Sequence, residues 1–182
     1  TPDTIINDIP KSIKCSKFKI SEHEELPKNL SVREILTRSS NIGSTILARK
    51  IGEKKYKEFL NDLNLLNPLE FELEEVGKPL YFNWDKCKLE TISFGHGITT
   101  TPLQAATAYA SLTNGGYLIK PTILKKNESV FNEKIISNET SKKLNKILRK
   151  VVTDEEGTAS LADIDGYSVA GKTGTSKKYR ND

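Results

Sequence analysis

Two short polar clusters carry residue types that chemistry needs. Ser39-Ser40-Asn41 offers hydroxyls and a carboxamide, and Lys172-Thr173-Gly174-Thr175 offers an ammonium, hydroxyls and a glycine beside which a ligand backbone can lie closely. Acyl transfer from a peptide needs a nucleophile, a base, donors for the oxyanion and a site for the substrate carboxylate. The two clusters hold pieces of that set, but neither supplies a nucleophile in a recognisable setting. Each also has a plainer reading: Ser-Ser-Asn is a common helix-capping tripeptide, and Lys-Thr-Gly can end an ordinary polar strand.

A rival chemistry overlaps the second cluster. Gly166-Tyr167-Ser168-Val169-Ala170-Gly171-Lys172-Thr173 fits the phosphate-loop pattern G-x-x-x-x-G-K-[ST]. A phosphate loop follows an apolar strand and opens a helix. Here Asp163-Ile164-Asp165 precedes it, Tyr167 to Ala170 is itself strand-like, and Ser176 to Arg180 shows no apolar stripe. Gly95-His96-Gly97 places a histidine in a loop with no acid or nucleophile beside it. Cys15 and Cys87 are far apart and in no Cys-x-x-Cys motif, so both the free-thiol and the disulfide states stay open. With only His23 and His96 to help them, no metal site is expected.

The elements that must position these clusters are mostly helical. Residues Thr1 to Leu30 read as an irregular opening segment with Pro2, Pro10 and Pro27, and residues 31–182 as the domain proper. Ser31 with Glu34 three residues later is a capping box for a helix that ends near Arg38. A second helix begins after Asn41, with Ile42, Thr45, Ile46 and Ile51 on one face, closed by Gly52. Ser39-Ser40-Asn41 therefore falls in a tight connection between helices. A third helix runs from about Lys54 to Leu65, and residues 67–84 read as loop. Thr101-Pro102 opens a helix with Leu103, Ala106, Ala110 and Leu112 as its apolar positions, stopped by Asn114-Gly115-Gly116. Tyr117 to Leu124 reads as a strand, Thr140 to Val152 as an amphipathic helix on Leu144, Ile147, Leu148 and Val151, and Tyr167 to Lys172 as a strand.

The order of these motifs resembles the transpeptidase domain of class B penicillin-binding proteins. That family uses a nucleophile Ser-x-x-Lys, then Ser-x-Asn, then Lys-Thr-Gly. Here Ser39-Ser40-Asn41 stands second and Lys172-Thr173-Gly174 third. Between them Phe94-Gly95-His96-Gly97-Ile98, Thr101-Pro102-Leu103-Gln104, Ala108-Tyr109-Ala110, Asn114-Gly115-Gly116 and Glu156-Gly157-Thr158 continue the likeness, which spans Leu30 to Thr175. Its details are most similar to the enzyme of the division septum. The resemblance implies a mixed α/β penicillin-binding protein/β-lactamase-like fold, and no cofactor. It implies that Ser39 relays a proton to the leaving amine and that Asn41 meets a substrate carbonyl. Lys172 would attract the substrate carboxylate, which Thr173 and Thr175 bond; Gly174 would admit the substrate backbone and the Thr175 N–H would face the oxyanion. The implied partners are peptidoglycan stem peptides, β-lactams and cell-division proteins.

The chain departs from that pattern at the nucleophile. One Ser-x-x-Lys occurs, Ser16-Lys17-Phe18-Lys19, but it lies in an alternating stretch that reads as an exposed strand, not the start of a buried helix. The true motif is expected upstream of Thr1, and the chain to be an internal, mainly helical fragment that is inactive alone. Its Tyr167 to Gly174 strand is then expected to lack neighbours. Composition agrees with a folded chain: 182 residues, 36% hydrophobic and 29% charged, with a net charge of +4 spread over many lysines. No dense basic run points to nucleic acid. No apolar run approaches the roughly 18 residues of a membrane span, so the residues are expected to be soluble, with any anchor upstream, at the periplasmic face of the inner membrane. Two other functions fit parts of the sequence: a serine β-lactamase or β-lactam sensor, and a nucleotide-binding module.

Overall fold

A computed structural model describes residues 1–73, 77–81, 84–125 and 133–174. The opening segment is not irregular. It forms β1 (Ile5–Ile6), β2 (Ser12–Cys15) and β3 (Phe18–Ser21), and β4 (Leu30–Ser31) closes it. β1 pairs antiparallel with β4, and β2 with β3 in a hairpin whose turn is Ser16-Lys17. Alternation in the sequence put one face of this hairpin inward: Ile13, Cys15 and Ile20 are buried while Lys14 and Lys19 face out. With Ile6, Ile9 and Leu30 they form one core together with Ile35, Ile42 and Cys87. The prolines punctuate the segment without keeping it from packing.

Helix α1 (Val32–Thr37) starts at the Ser31–Glu34 capping box. The Ser31 hydrogen bonds also hold the Glu34 carboxyl below its ordinary value. Helix α2 (Asn41–Ile51) follows, with Ser40 as N-cap and Gly52 ending it at φ 85°. A side chain at Gly43 would strike Ile35 Cγ1 at 2.6 Å, so its glycine lets α2 sit tightly on α1. Ile51, expected on the buried face, is exposed instead: it is the last residue of α2, next to the Gly52 that ends the helix. Helix α3 (Glu53–Asp62) buries Leu60, and the Leu63 to Leu66 turn behind it contributes to a second core with Ile92 and Trp84.

After β5 (Leu80–Tyr81), helix α4 (Lys88–Ser93) is an element that the sequence did not suggest. Cys87 begins it at φ 75° and is disulfide-bonded to Cys15 at the end of β2, with Cα atoms 5.7 Å apart. The bridge staples α4 to the hairpin, and α4 lies along α2. β6 (Ile98–Thr99) pairs with β5, and α5 (Pro102–Thr113) opens at a second capping box, Thr101 with Gln104.

The expected apolar face of α5 is wrong. Gln104, Thr107, Ala108 and Ser111 are buried, whereas Ala106 is exposed. Polar groups can face inward here because each finds a partner: Gln104 Nε2 donates to the carbonyls of Asn64 and Asn67, and Ser111 Oγ accepts from the Ile119 N–H. Tyr117 to Leu124 is not a strand. Among the described residues it forms a single bridge, Tyr117 to Lys134, and leaves Ile123 and Leu124 exposed. Helix α6 (Asn138–Thr153) buries Ile147, Leu148 and Val151 of the expected face and Val152 besides, while Leu144 is only half-buried; the helix packs on α1 and α5.

Candidate active site

The turn between α1 and α2 is built by backbone geometry. Arg38 is the C-cap of α1, and Ser39 follows in the left-handed region at φ 58°. The Ser39 N–H donates to the Leu36 carbonyl (3.3 Å) and the Ser40 N–H to the Ile35 carbonyl (2.9 Å). That is a Schellman closure with serine where glycine is usual. A non-glycine residue held at positive φ is sterically unfavourable, and such residues gather where function requires a fixed side chain. Ser40 then caps α2, its hydroxyl accepting from the Gly43 N–H at 2.9 Å.

Asn41, the first residue of α2, is nearly buried. Its Nδ2 donates to the Ser21 carbonyl at 3.1 Å. A carbonyl can only accept, so the amide orientation is settled, leaving one N–H and Oδ1 for other partners. The sequence did not single out Ser21 or Glu22, yet both grip this turn. Glu22 accepts from the Ser40 hydroxyl (2.6 Å) and the Asn41 N–H (2.8 Å). No local signal marks them, because the groups they hold lie 18 to 20 residues further on.

Lys172 arrives from the far end of the chain. Its Nζ donates to Ser39 Oγ at 2.7 Å, to the Thr173 carbonyl at 3.1 Å and to Thr173 Oγ1 at 3.2 Å. It is partly buried, and among the described residues it has no carboxylate partner. Burial therefore lowers its pKa below the ordinary lysine value. Residues 167–174 form no helix and pair with no strand among the described residues, contrary to the expected Tyr167 to Lys172 strand. They hang on α6 instead: the Gly171 N–H donates to the Leu148 carbonyl (3.2 Å) and Arg149 to the Val169 carbonyl (2.6 Å). Thr173 Oγ1 shares a hydrogen bond with Thr158 Oγ1 at 2.8 Å, and Arg38 pairs with Glu156 at 3.1 Å, so the 156–158 loop steadies both sides.

Between them lies a cleft of about 470 Å³ lined by Ser39, Asn41, Phe94, His96, Lys172 and Gly174 among others. The Gly95-His96-Gly97 loop forms its other wall. Glycines at φ 89° and 81° allow that loop its path, and the buried Lys88 Nζ donates to the Gly97 carbonyl at 2.5 Å. The structure thus brings together Ser39, Asn41, Lys172, Thr173 and Gly174; Thr175 lies outside the described residues. Ser16 stands apart, at φ 52° in the hairpin turn, where Ser16-Lys17-Phe18-Lys19 opens no helix. Through Gly174 the Gly166 to Thr173 stretch opens no helix either, and Lys172 points at Ser39 and not into a loop of N–H groups. Among the described residues no group of His, Cys, Asp and Glu is placed to hold a metal.

Over residues 1–182 the chain matches the penicillin binding protein transpeptidase domain family. It belongs to that family. Its sequence is 39% identical over 176 residues to the probable peptidoglycan D,D-transpeptidase FtsI of Caulobacter vibrioides, covering 94% of this chain and 30% of the relative. It is 30% identical to stage V sporulation protein D of Bacillus subtilis, covering 81% of this chain and 25% of that one. The chain therefore spans less than a third of the length of these curated relatives. The transpeptidase domain of Burkholderia pseudomallei penicillin-binding protein 3 superposes with a TM-score of 0.89 at 25% identity, covering all of this chain and 56% of that one. The fold is the mixed α/β fold of penicillin-binding-protein transpeptidase domains, as the motif order implied. The match begins at residue 1, so the opening segment belongs to the family domain, consistent with its share of the core.

Proposed function

We propose that this chain forms one part of a peptidoglycan D,D-transpeptidase and supplies the Ser39–Asn41 and Lys172–Thr175 walls of its active site. The observation that carries the reading is the 2.7 Å contact of Lys172 Nζ with Ser39 Oγ, between residues 133 apart in sequence. In this reading a serine from elsewhere in the protein attacks the carbonyl of a D-alanyl-D-alanine stem peptide. The serine Oγ–C bond forms, the peptide C–N bond breaks, and D-alanine leaves with a proton passed through Ser39. The amine of a second stem peptide then attacks the ester, which restores the serine and leaves a cross-link.

Each residue acts by its own chemistry. The remaining N–H of Asn41 donates to the substrate carbonyl. Lys172 places positive charge over the site for the terminal carboxylate and donates to Ser39 Oγ, which frees the Ser39 hydroxyl proton for the leaving amine. Its burial eases proton exchange at that contact. Thr173 and Thr175 bond the carboxylate, Gly174 admits the substrate backbone, and the Thr175 N–H faces the oxyanion. β-Lactams acylate the same serine. The parent protein works at the periplasmic face of the inner membrane, anchored outside this chain, in cell division with the division machinery.

The test uses the full-length protein that carries this chain. Incubation with a fluorescent penicillin and intact-mass spectrometry are expected to show one adduct that persists for many minutes. Rapid hydrolysis of the adduct would favour the β-lactamase reading. Absence of an adduct, with saturable binding of a fluorescent ATP analogue, would favour the nucleotide-binding reading.

A further inference from the structure

Glu22 lies 17 residues before Ser39 and, among the described contacts, forms no hydrogen bond or ion pair with Lys172, yet it organises the start of α2. Its Oε1 accepts from the Ser40 hydroxyl (2.6 Å) and the Ile42 N–H (3.1 Å), and its Oε2 from the Asn41 N–H (2.8 Å). The first three N–H groups of α2 are thereby all satisfied: Asn41 and Ile42 by Glu22, Gly43 by Ser40 Oγ. Serine alone would suffice as an N-cap. Here a carboxylate brought from the opening segment does more: its charge favours the helix N-terminus and its bonds are charge-assisted.

We propose that Glu22 is a positioning residue for the reaction, acting through Ser40 and Asn41 on the groups that face the cleft. Asn41 is held at both ends by consecutive residues, its backbone N–H by Glu22 and its side-chain Nδ2 by the Ser21 carbonyl (3.1 Å). Its free N–H and Oδ1 are thus aimed by contacts from the opening segment. Ser39 cannot relax from its positive φ without moving Ser40, and Ser40 is buried and tied to Glu22. Glu22 is not itself a proton-transfer group in this arrangement, because both its oxygens already accept hydrogen bonds from α2. His23, Arg38 and Lys172 are the basic residues around this end of the cleft, and none of them pairs with Glu22 among the described contacts. The inference rests on the transpeptidase reading for its consequence, but not for its geometry.

The test is Glu22→Gln in the full-length protein, which preserves shape and removes the charge. Penicillin acylation is followed over a range of concentrations and counted per acylatable molecule. The limiting acylation rate is expected to fall about 10–100-fold, as a small misplacement of reacting groups does, with the half-saturating concentration little changed. A limiting rate within twofold of wild type would overturn the proposal. If Glu22→Gln does not fold, Glu22→Asp is measured against the same twofold limit. In parallel, the Asn41 side-chain amide is followed by NMR in the 182-residue chain, where Glu22→Gln is expected to shift it well beyond the resonances of distant asparagines. If the wild-type protein forms no adduct at all, the transpeptidase reading fails, and this shift alone decides Glu22; an unmoved resonance then overturns its role.

Discussion

The two polar walls of the cleft are held in opposite ways. The Ser39-Ser40-Asn41 wall is over-determined: two helices end there, the Schellman bonds fix Ser39, and Ser21 and Glu22 fix Asn41. The Lys172-Thr173-Gly174 wall is a segment without regular structure, attached to α6 through the Gly171 N–H and the Val169 carbonyl, and to a loop through Thr173. Gly171 and Gly174 have open space where a side chain would sit. The difference separates two duties. A group that shuttles a proton or meets a carbonyl must be in place beforehand, because orientation fixed by folding need not be fixed again at each turnover. A segment that receives a substrate gains from lying open, with contacts that a ligand can add to.

If the walls have these duties, the largest effect comes from removing charge at the open wall. Lys172→Ala in the full-length protein is expected to slow penicillin acylation about 10²–10³-fold, comparable to losing one donor in a preorganised anion site. The melting temperature should change little, since Lys172 sits partly exposed on a loosely held segment. An acylation rate equal to wild type would remove Lys172 from the mechanism. The isolated 182-residue chain should form no adduct at all, and a stoichiometric adduct at Ser16 would contradict the assignment of that serine to a hairpin turn.

The second effect distinguishes the walls by stability. Cys15–Cys87 closes a long loop across a sequence separation of 72 and ties the hairpin that leads into Ser21 and Glu22 to α4. Reduction, or Cys87→Ser, is expected to cost roughly 2–4 kcal/mol of folding stability. The loss should appear first as faster amide exchange at Asn41, Ile42 and Gly43, whose acceptors come from or through the opening segment. Amides of the 167–174 segment, whose backbone bonds run to α6 and within its own loop and not to the opening segment, should change little. Equal acceleration at both walls would mean that the bridge does not serve one of them preferentially.

Much of this arrangement was legible in the sequence, and the gaps have identifiable causes. The capping box of α1, the connection ahead of α2 and the Thr101-Pro102 opening of α5 were visible, because signals of this kind lie within a few residues and local chemistry decides them. The motif order implied that Ser39 and Lys172 serve one site, and Lys172 Nζ lies 2.7 Å from Ser39 Oγ. The buried face of α5 was not legible, since Gln104 and Ser111 face inward only because partners arrive from Asn64, Asn67 and Ile119, and hydrophobic periodicity cannot see such partners. The same holds for the opening segment, where prolines suggested irregular structure while short strands and a disulfide supplied order from a distance. Glu22 escaped for that reason: its meaning lies in groups 18 to 20 residues away.

A smaller change probes the strain in the fixed wall. Ser39→Gly in the 182-residue chain removes the penalty of a side chain at φ 58° and is expected to raise stability by about 1 kcal/mol. In the full-length protein the same change deletes the hydroxyl, and acylation or deacylation by a peptide amine should fall at least about tenfold. Ser39→Ala should lose the rate without the gain in stability. If Ser39→Gly left stability unchanged, the left-handed turn would not be a strained one.

The smallest effect is electrostatic and concerns the open wall. Burial lowers the pKa of Lys172 in the folded chain below its ordinary value. In the window just below that ordinary value the unfolded state therefore holds a proton that the folded state has begun to release. Stability contributed through this group rises with pH across the window, because the unfolded state binds more protons there. Many other lysines titrate nearby, so the informative quantity is the difference between wild type and Lys172→Met. As pH is raised from neutrality toward that window, melting temperatures should move in favour of wild type, by an amount kept small by the solvent around a partly exposed ammonium. A difference that moved the other way would mean that an anion, and not desolvation, governs Lys172. The open wall would then already carry its counter-charge before any substrate arrives.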